Sequence, residues 1–179
     1  KITNGGNVIK GAGVLLEDAS IKIIGVNIVN NHTSYNWPDK WGGGMYLKNS
    51  NSILKDLSIN NNSSKIGGGI YISDSNPIID NVMIKGNSSN WGGGVACEGS
   101  SNLTITNINV EYNLVANSGG GIRASCDLIN ITNAFINGNT ASSEGGGIQL
   151  SGPAIFNNVV GRPPSPCFKF VAALINGKF

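Results

Sequence analysis

Triple glycines begin at Gly42, Gly67, Gly92, Gly119 and Gly145, in steps of 25, 25, 27 and 26 residues. Self-similarity at a fixed period of this size indicates stacked supersecondary units rather than an ordinary globular core. A degenerate copy, Gly11 to Gly13, precedes them by a longer step. That step holds NHTSYNWPDKW, so one coil carries an insertion of about six residues. Loops that interrupt one coil often form the wall of a site.

Aligning the copies on their glycines puts Val14, Met45, Ile70, Val95, Ile122 and Ile148 in one column, with Leu16, Leu47, Ile72, Cys97, Ala124 and Leu150 two positions later. Alternation of this kind predicts a strand with these side chains inside. A second apolar column holds Ile23, Leu54, Ile79, Ile105, Ile131 and Phe156. A third holds Val26, Leu57, Val82, Ile108, Ala134 and Val159, and a fourth Ile28, Ile59, Ile84, Val110 and Ile136. Each coil is therefore expected to carry three short strands. A tight bend separates the second and third columns at Lys55-Asp56, Asp80-Asn81, Thr106-Asn107, Thr132-Asn133 and Asn157-Asn158. Such coils cannot bury their inner faces alone. Stacked at about 4.8 Å per rung, they pair every strand in parallel and close a continuous core, which makes a three-sided parallel β-helix.

This stacking gives the asparagines a reason. Asp56, Asn81, Asn107, Asn133 and Asn158 would lie one above another at the bend, and Asn31, Asn62, Asn87, Asn113 and Asn139 at the next corner. Stacked amides hydrogen-bond along the axis, and Asn tolerates the left-handed backbone that corners require. With glycine at 26 of 179 residues beside this much asparagine, a predominantly helical chain is excluded.

The repeat GGG[IVM]…S…N…[IL]xN[VI]xIxxN resembles that of secreted right-handed parallel β-helix proteins, including pectate-lyase-like proteins and the GGA[ILV]-repeat adhesins of bacterial outer membranes. It extends from residue 2 to about residue 160. The resemblance implies an all-β fold: a right-handed three-sided parallel β-helix (β-solenoid) of about six coils of 25–27 residues. It also implies a secreted or cell-surface location and a polysaccharide or cell-surface glycan as partner. That family spans lyases, hydrolases, adhesins, tailspikes and inert stalks, so it speaks to fold far more than to activity.

Residues 1–160 are thus expected to form the β-helix. After Val160 the period stops at GRPPSP, and CFKFVAALINGKF lacks the Asn, Ser and Gly habit. Residues 161–179 read either as a cap over the last coil, which an open β-helix end needs, or as a non-native extension. Phe168, Val171, Ala172 and Ile175 fall at helical spacing, while Phe168, Phe170 and Ala172 alternate, so both helix and strand stay open. The opening ITN reads as the end of a strand whose earlier part is missing, so the chain is expected to be a fragment of a longer helix.

Several function classes are disfavoured. Charged residues make up 12% of the chain and the formal net charge is +2, so no basic field draws it onto nucleic acid. No run of about 18 apolar residues points to membrane insertion, and KITNGGNVIK lacks the order of a signal peptide. Cys97, Cys126 and Cys167 are odd in number without CxxC spacing, which disfavours zinc and a disulfide framework and leaves buried, idle thiols. The glycine runs match neither GxxxxGK[ST] nor a GxGxxG opening a helix, so they are architecture rather than phosphate loops.

Chemistry is expected where the repeat breaks, on the outward rows of the first strand. One row is Leu15, Tyr46, Tyr71, Ala96, Arg123 and Gln149, and the next is Glu17, Lys48, Ser73, Glu98, Ser125 and Ser151. Asp74 and Glu98 come from adjacent coils, with carboxylates expected roughly 5–9 Å apart, the range that glycoside hydrolases use. In this reading Glu98 is the general acid, Asp74 the base or nucleophile, and Arg123 orients a uronate or hydroxyl. Tyr46 and Tyr71 would stack on sugar rings, with Lys48 and Trp37 of the inserted loop as further substrate contacts. The competing reading is a solvated strand face with weak cross-strand pairs such as Glu98 with Arg123. Trp41 and Trp91, each just before a GGG, read as corner residues packed on the glycines, and the single histidine, His32, as a turn residue. No metal site or other cofactor is expected; calcium stays open, because Asp18 and Asp74 share a column with Asn49 between them but no acidic cluster is evident. Two functions remain in view: a noncatalytic surface module touching glycan, and a polysaccharide hydrolase or lyase. Exposed strand edges at the coil ends leave oligomerisation open.

Overall fold

The computed structural model describes residues 1–34 and 40–161, together with the backbone of 162, 168–169 and 174–176. Among these residues there is no helix, and all strand pairing is parallel. The chain is a β-solenoid of about six coils. Its register follows the glycine alignment: Val14, Met45, Ile70, Val95, Ile122 and Ile148 pair in turn from rung to rung. So do Ile23, Leu54, Ile79, Ile105, Ile131 and Phe156. A one-residue slip would turn every apolar column outward, so burial itself locks this register. The inward side chains form one continuous cluster from Leu16 to Val159, with Leu47, Ile72, Ile105, Ile131 and Phe156 at 0% exposure.

The first coil has the three short strands expected, Val14–Glu17, Lys22–Ile24 and Asn27–Val29, whereas in later coils the second and third merge. Ile53–Asn60 and Ile78–Lys85 run unbroken through the expected bend, and Val95–Glu111 and Ile122–Asn137 continue from the first strand stretch as well. The reason lies in single residues. Asp56, Asn81, Asn107, Asn133 and Asn158 have φ of 54, 52, 53, 55 and 52°, so one left-handed residue turns the chain while pairing resumes on either side. A further ladder was not expected: Ser88–Trp91, Leu114–Ser118 and Thr140–Ala141 pair in parallel just after the buried corner asparagines.

Those asparagines hold the rungs in line. Asn31, Asn62, Asn87 and Asn113 each donate from Nδ2 to Oδ1 of the next, at 3.0, 3.0, 3.0 and 2.9 Å. The same Oδ1 accepts the backbone N–H of the preceding rung at 2.9–3.0 Å. The second amide hydrogen of Asn62, Asn87 and Asn113 goes to the carbonyls of Ile28, Ile59 and Ile84. The left-handed residue at this corner is the one before the ladder (Asn30, Asn61, Gly86, Tyr112, Gly138), not the ladder asparagine, whose amide must point inward instead. At the exposed bend the stacking is looser: Asn81 donates to Asp56 Oδ1 at 2.6 Å and Asn158 to Asn133 Oδ1 at 2.9 Å, while Asn107 reaches Asp80 rather than Asn81. A buried serine ladder forms a third seam, Ser50 N–H donating to Ser75 Oγ and Ser75 N–H to Ser101 Oγ.

Each triple glycine serves two needs. Its first residue turns the corner in left-handed conformation, at φ of 65° in Gly42 and 66° in Gly67. Its third lies so close to the next rung that a Cβ on Gly69 or Gly94 would sit 2.5 Å from that rung's carbonyl oxygen. Of residues 161–179, Phe168–Lys169 pairs with Ile148–Leu150 and Leu174–Asn176 with Ala154–Arg162, both in parallel. Cys167, Phe170, Val171 and Ala172 lie outside the described residues.

Candidate functional site

The first strand stretch, Met45–Lys48, Ile70–Ser73 and the start of Val95–Glu111, carries the residues singled out above. Its outward row is not open to solvent where solvent was expected. Tyr46 and Tyr71 are 4% and 7% exposed and Ala96 is buried; the three form a small cluster outside the main core, packed against Trp41 and Ile66. The tyrosine rings stack at 5.3 Å with 11° between planes, and Trp41 tilts at 48° over Tyr71 at 6.2 Å. The left-handed glycine at the corner brings about this cover, because it folds the preceding residue back over the strand that follows. Lys10 closes one end, its Nζ 5.1 Å from the Tyr46 ring centroid and 3.2 Å from Glu17.

Glu98, Arg123 and Tyr71 come together. Arg123 donates to Glu98 Oε1 and the Tyr71 hydroxyl donates to Glu98 Oε2 at 3.0 Å. Burial, then the Glu98 charge, holds the Tyr71 phenol well above its ordinary range, so it stays a donor. Asp74 sits on the corner beyond Ser73, in left-handed conformation with φ of 50°. Its Oδ2 accepts from the Ser73 hydroxyl at 2.8 Å and its Oδ1 from the Ser100 N–H of the next coil at 3.1 Å. The Ser73 and Ser100 hydrogen bonds, with help from Lys48, hold the Asp74 carboxyl below its usual value. A Cβ on Gly99 would meet Asp74 Oδ1 at under 3 Å, so this carboxylate lies directly over the residue after Glu98. Lys48 is half-buried and pairs in register with Glu17 and Ser73. Trp37 lies outside the described residues.

Asn49 Nδ2 donates to Asp18 Oδ1 at 2.9 Å, so that column is a hydrogen-bonded corner. Among the described residues no three His, Cys, Asp or Glu side chains converge on one point. Cys97 and Cys126 are free, buried neighbours; the hydrogen bond between them, then burial, pushes the Cys97 thiol up.

The columns of residues just before the triple glycines were not singled out in the sequence as a binding surface. A cleft of ≈ 380 Å³ lies between them and the corner, lined by Thr33, Lys40, Ser63, Ser64, Lys65, Ser88, Ser89 and Asn90. The signal available in the sequence was the pair of lysines that the insertion brings into one column.

Residues 56–73, running from the bend of one coil to the end of the next first strand stretch, match the model of the Chlamydia polymorphic membrane protein (Chlamydia_PMP) repeat. The matched stretch contains Asn62 of the buried ladder and the triple glycine at Gly67. No curated protein and no solved structure matches the chain.

Proposed function

We propose that this chain is an extracellular or cell-surface β-helix module that contacts carbohydrate through its regular exterior, in an adhesin-like or stalk-like role. The observation that carries the noncatalytic reading is the state of the two carboxylates. All four oxygens of Asp74 and Glu98 accept hydrogen bonds from protein donors. The hydrogen bonds that hold Asp74 below its usual value make it a weaker base, and both Glu98 oxygens are engaged, one by Arg123 and one by the Tyr71 hydroxyl. The repeated coil supports a binding role, since each rung offers a similar surface. The repeat match supports the location, because that repeat is named for a membrane protein.

The second reading is a polysaccharide hydrolase or lyase using Glu98, Asp74 and Arg123. It is favoured by one observation: these groups depart from the repeat and two of them, Glu98 and Arg123, meet on adjacent coils. The test is reducing-end and unsaturated-product release from a panel of acidic and neutral polysaccharides, alongside retention of the chain on the same polymers. Retention without product is expected from wild type, Glu98→Gln and Asp74→Asn alike. Product released by wild type and abolished by Glu98→Gln would replace the binding module with an enzyme.

A further inference from the structure

The exposed bend carries an amide ladder with one link missing. Asn81 donates to Asp56 Oδ1 at 2.6 Å, Asn133 to Asn107 Oδ1 at 3.2 Å and Asn158 to Asn133 Oδ1 at 2.9 Å. Between Asn81 and Asn107 the run breaks, because Asn107 Nδ2 turns to Asp80 Oδ1 at 2.9 Å, an oxygen that also accepts from the Thr106 hydroxyl at 3.0 Å. Asp80 is the cause. Its column runs Ile24, Lys55, Asp80, Thr106, Thr132 and Asn157 with no other carboxylate, and a charged acceptor outcompetes a neutral amide oxygen. The Asn107 and Thr106 donors, then Lys55 at 3.2 Å, hold the Asp80 carboxyl below its usual value, so the break persists at neutral pH. Asn81 Oδ1 is left without a donor among the described residues, on a side chain that is exposed.

The break opens into a groove of ≈ 310 Å³. Asp56, Asn81 and Asn107 line it from the bend, and Ser58, Met83 and Asn109 from the outward row of the strand that follows. All but the half-buried Ser58 are exposed, Met83 by 41%. The Asn109 side chain makes no hydrogen bond to the described residues, so its amide is open to a ligand as donor and acceptor. The row continues past the groove to Phe135, its only aromatic residue, half-buried and paired in register with Asn109. Ser58, Met83, Asn109 and Phe135 thus lie on four successive rungs, roughly 14 Å along the axis at about 4.8 Å per rung. No lysine or arginine lines the groove, and its one charge is the Asp56 carboxylate, which disfavours an anionic ligand. Open amides set among a thioether and an aromatic ring match a sugar, which carries hydroxyls around its rim and C–H groups on its faces.

We propose that this groove binds a neutral polysaccharide whose sugar rings lie along the solenoid axis. Asn81 Oδ1 accepts from a sugar hydroxyl, the Asn109 amide donates and accepts, and Met83 and Phe135 underlie the C–H faces of the rings. The inference rests on the carbohydrate-binding reading above and adds to it the place of contact and the charge class of the glycan.

The experiment is amide-shift mapping and titration of the full chain with mannohexaose, cellohexaose and maltohexaose, and with hexagalacturonate as the acidic counterpart. Wild type is compared with Asn81→Gly, Asn109→Ala, Phe135→Leu and the control Asn49→Gly. Glycine keeps the left-handed backbone at position 81, so that variant removes the amide and not the turn. Asn49 is exposed, has φ of 49° and bonds Asp18 at a different corner, so Asn49→Gly makes the same change away from the groove. Shifts centred on Asn81, Met83 and Asn109 are expected with at least one neutral hexaose. Affinity is expected to fall about three-fold or more in each groove variant and to stay unchanged in Asn49→Gly. A neutral hexaose bound equally by wild type and all three groove variants would overturn the groove and leave the carbohydrate reading in place. Hexagalacturonate bound there as tightly as the neutral sugars would overturn the charge class. No shift with any hexaose, while the chain is still retained on polysaccharide, would overturn the site alone; no shift and no retention would overturn the carbohydrate reading with it. Native amide dispersion in each variant establishes that it has folded.

Discussion

At the scale of the residue, two asparagine columns that look alike in the sequence do different work. Asn87 is buried and has four partners: it donates to Asn113 Oδ1 and the Ile59 carbonyl, and its Oδ1 accepts from the Asn62 amide and backbone. Asn87→Ala strands these groups away from water, and a loss of about 3 kcal/mol is expected from urea unfolding. Asn81, exposed at the bend with φ of 52°, is held there mainly by its backbone conformation. Asn81→Gly is expected to change stability by under about 1 kcal/mol in the same assay. Tyr71 sets a second expectation. Its folded pKa lies above the free value, so the folded state holds the proton more tightly. The resulting stability is complete below about pH 10 and is lost as pH rises from there toward the folded pKa. Thermal midpoints measured at about pH 8 and 11 should therefore fall more in wild type than in Tyr71→Phe. An equal fall in both would mean that burial of the Tyr71 phenol beside the Glu98 charge contributes nothing to the alkaline limb.

At the scale of the element, the corner explains the triple glycine and two substitutions separate its causes. Gly69 is excluded from carrying a side chain by the next rung, since its Cβ would lie 2.5 Å from Gly94 O and 3.1 Å from Ile84 Cγ2. Gly25 has open space around its Cβ but a φ of 67°. Gly69→Ala is expected to cost about 1–3 kcal/mol by overpacking, and Gly69→Asn no less. Gly25→Ala is expected to cost about 1 kcal/mol, with Gly25→Asn recovering part of it because Asn adopts the left-handed region more readily. Chemical denaturation of the four variants checks the contrast; recovery at Gly69 by Asn would show that conformation, not contact, sets the need there. The corner also decides the exterior. By folding Trp41 and Ile66 back, it covers the tyrosine row that alternation alone assigns to solvent.

At the scale of the whole molecule, each coil touches chiefly the coils on either side, so stability is a sum of coil and interface contributions. Removing residues 67–91, one period, joins Ile66 to Gly92 in the same phase of the repeat. The shortened chain is expected to keep a parallel-β circular dichroism spectrum and to unfold at lower denaturant. Removing residues 67–79 breaks the phase and is expected to abolish cooperative unfolding. If both deletions behaved alike, period would not be what holds the fold.

The period, the apolar columns, the rung register and the stacking asparagines were legible in the sequence. Each is a property of one coil repeated along an axis, and burial of the inner face admits a single phase. The Glu98–Arg123 pair was legible for the same reason, as a diagonal pair on neighbouring rungs, Arg123 lying opposite Ala96 and Glu98 opposite Ser125. Only the tertiary structure decided what happens between columns. It placed Trp41 and Ile66 over Tyr46 and Tyr71, put the left-handed residue before the ladder asparagine, and brought Lys40 and Lys65 beside the hydroxyls of Thr33, Ser63 and Ser88. Repetition specifies neighbours along the axis, whereas contacts around the coil depend on how sharply each corner turns. That depends on single backbone angles and on one insertion, which no periodicity records.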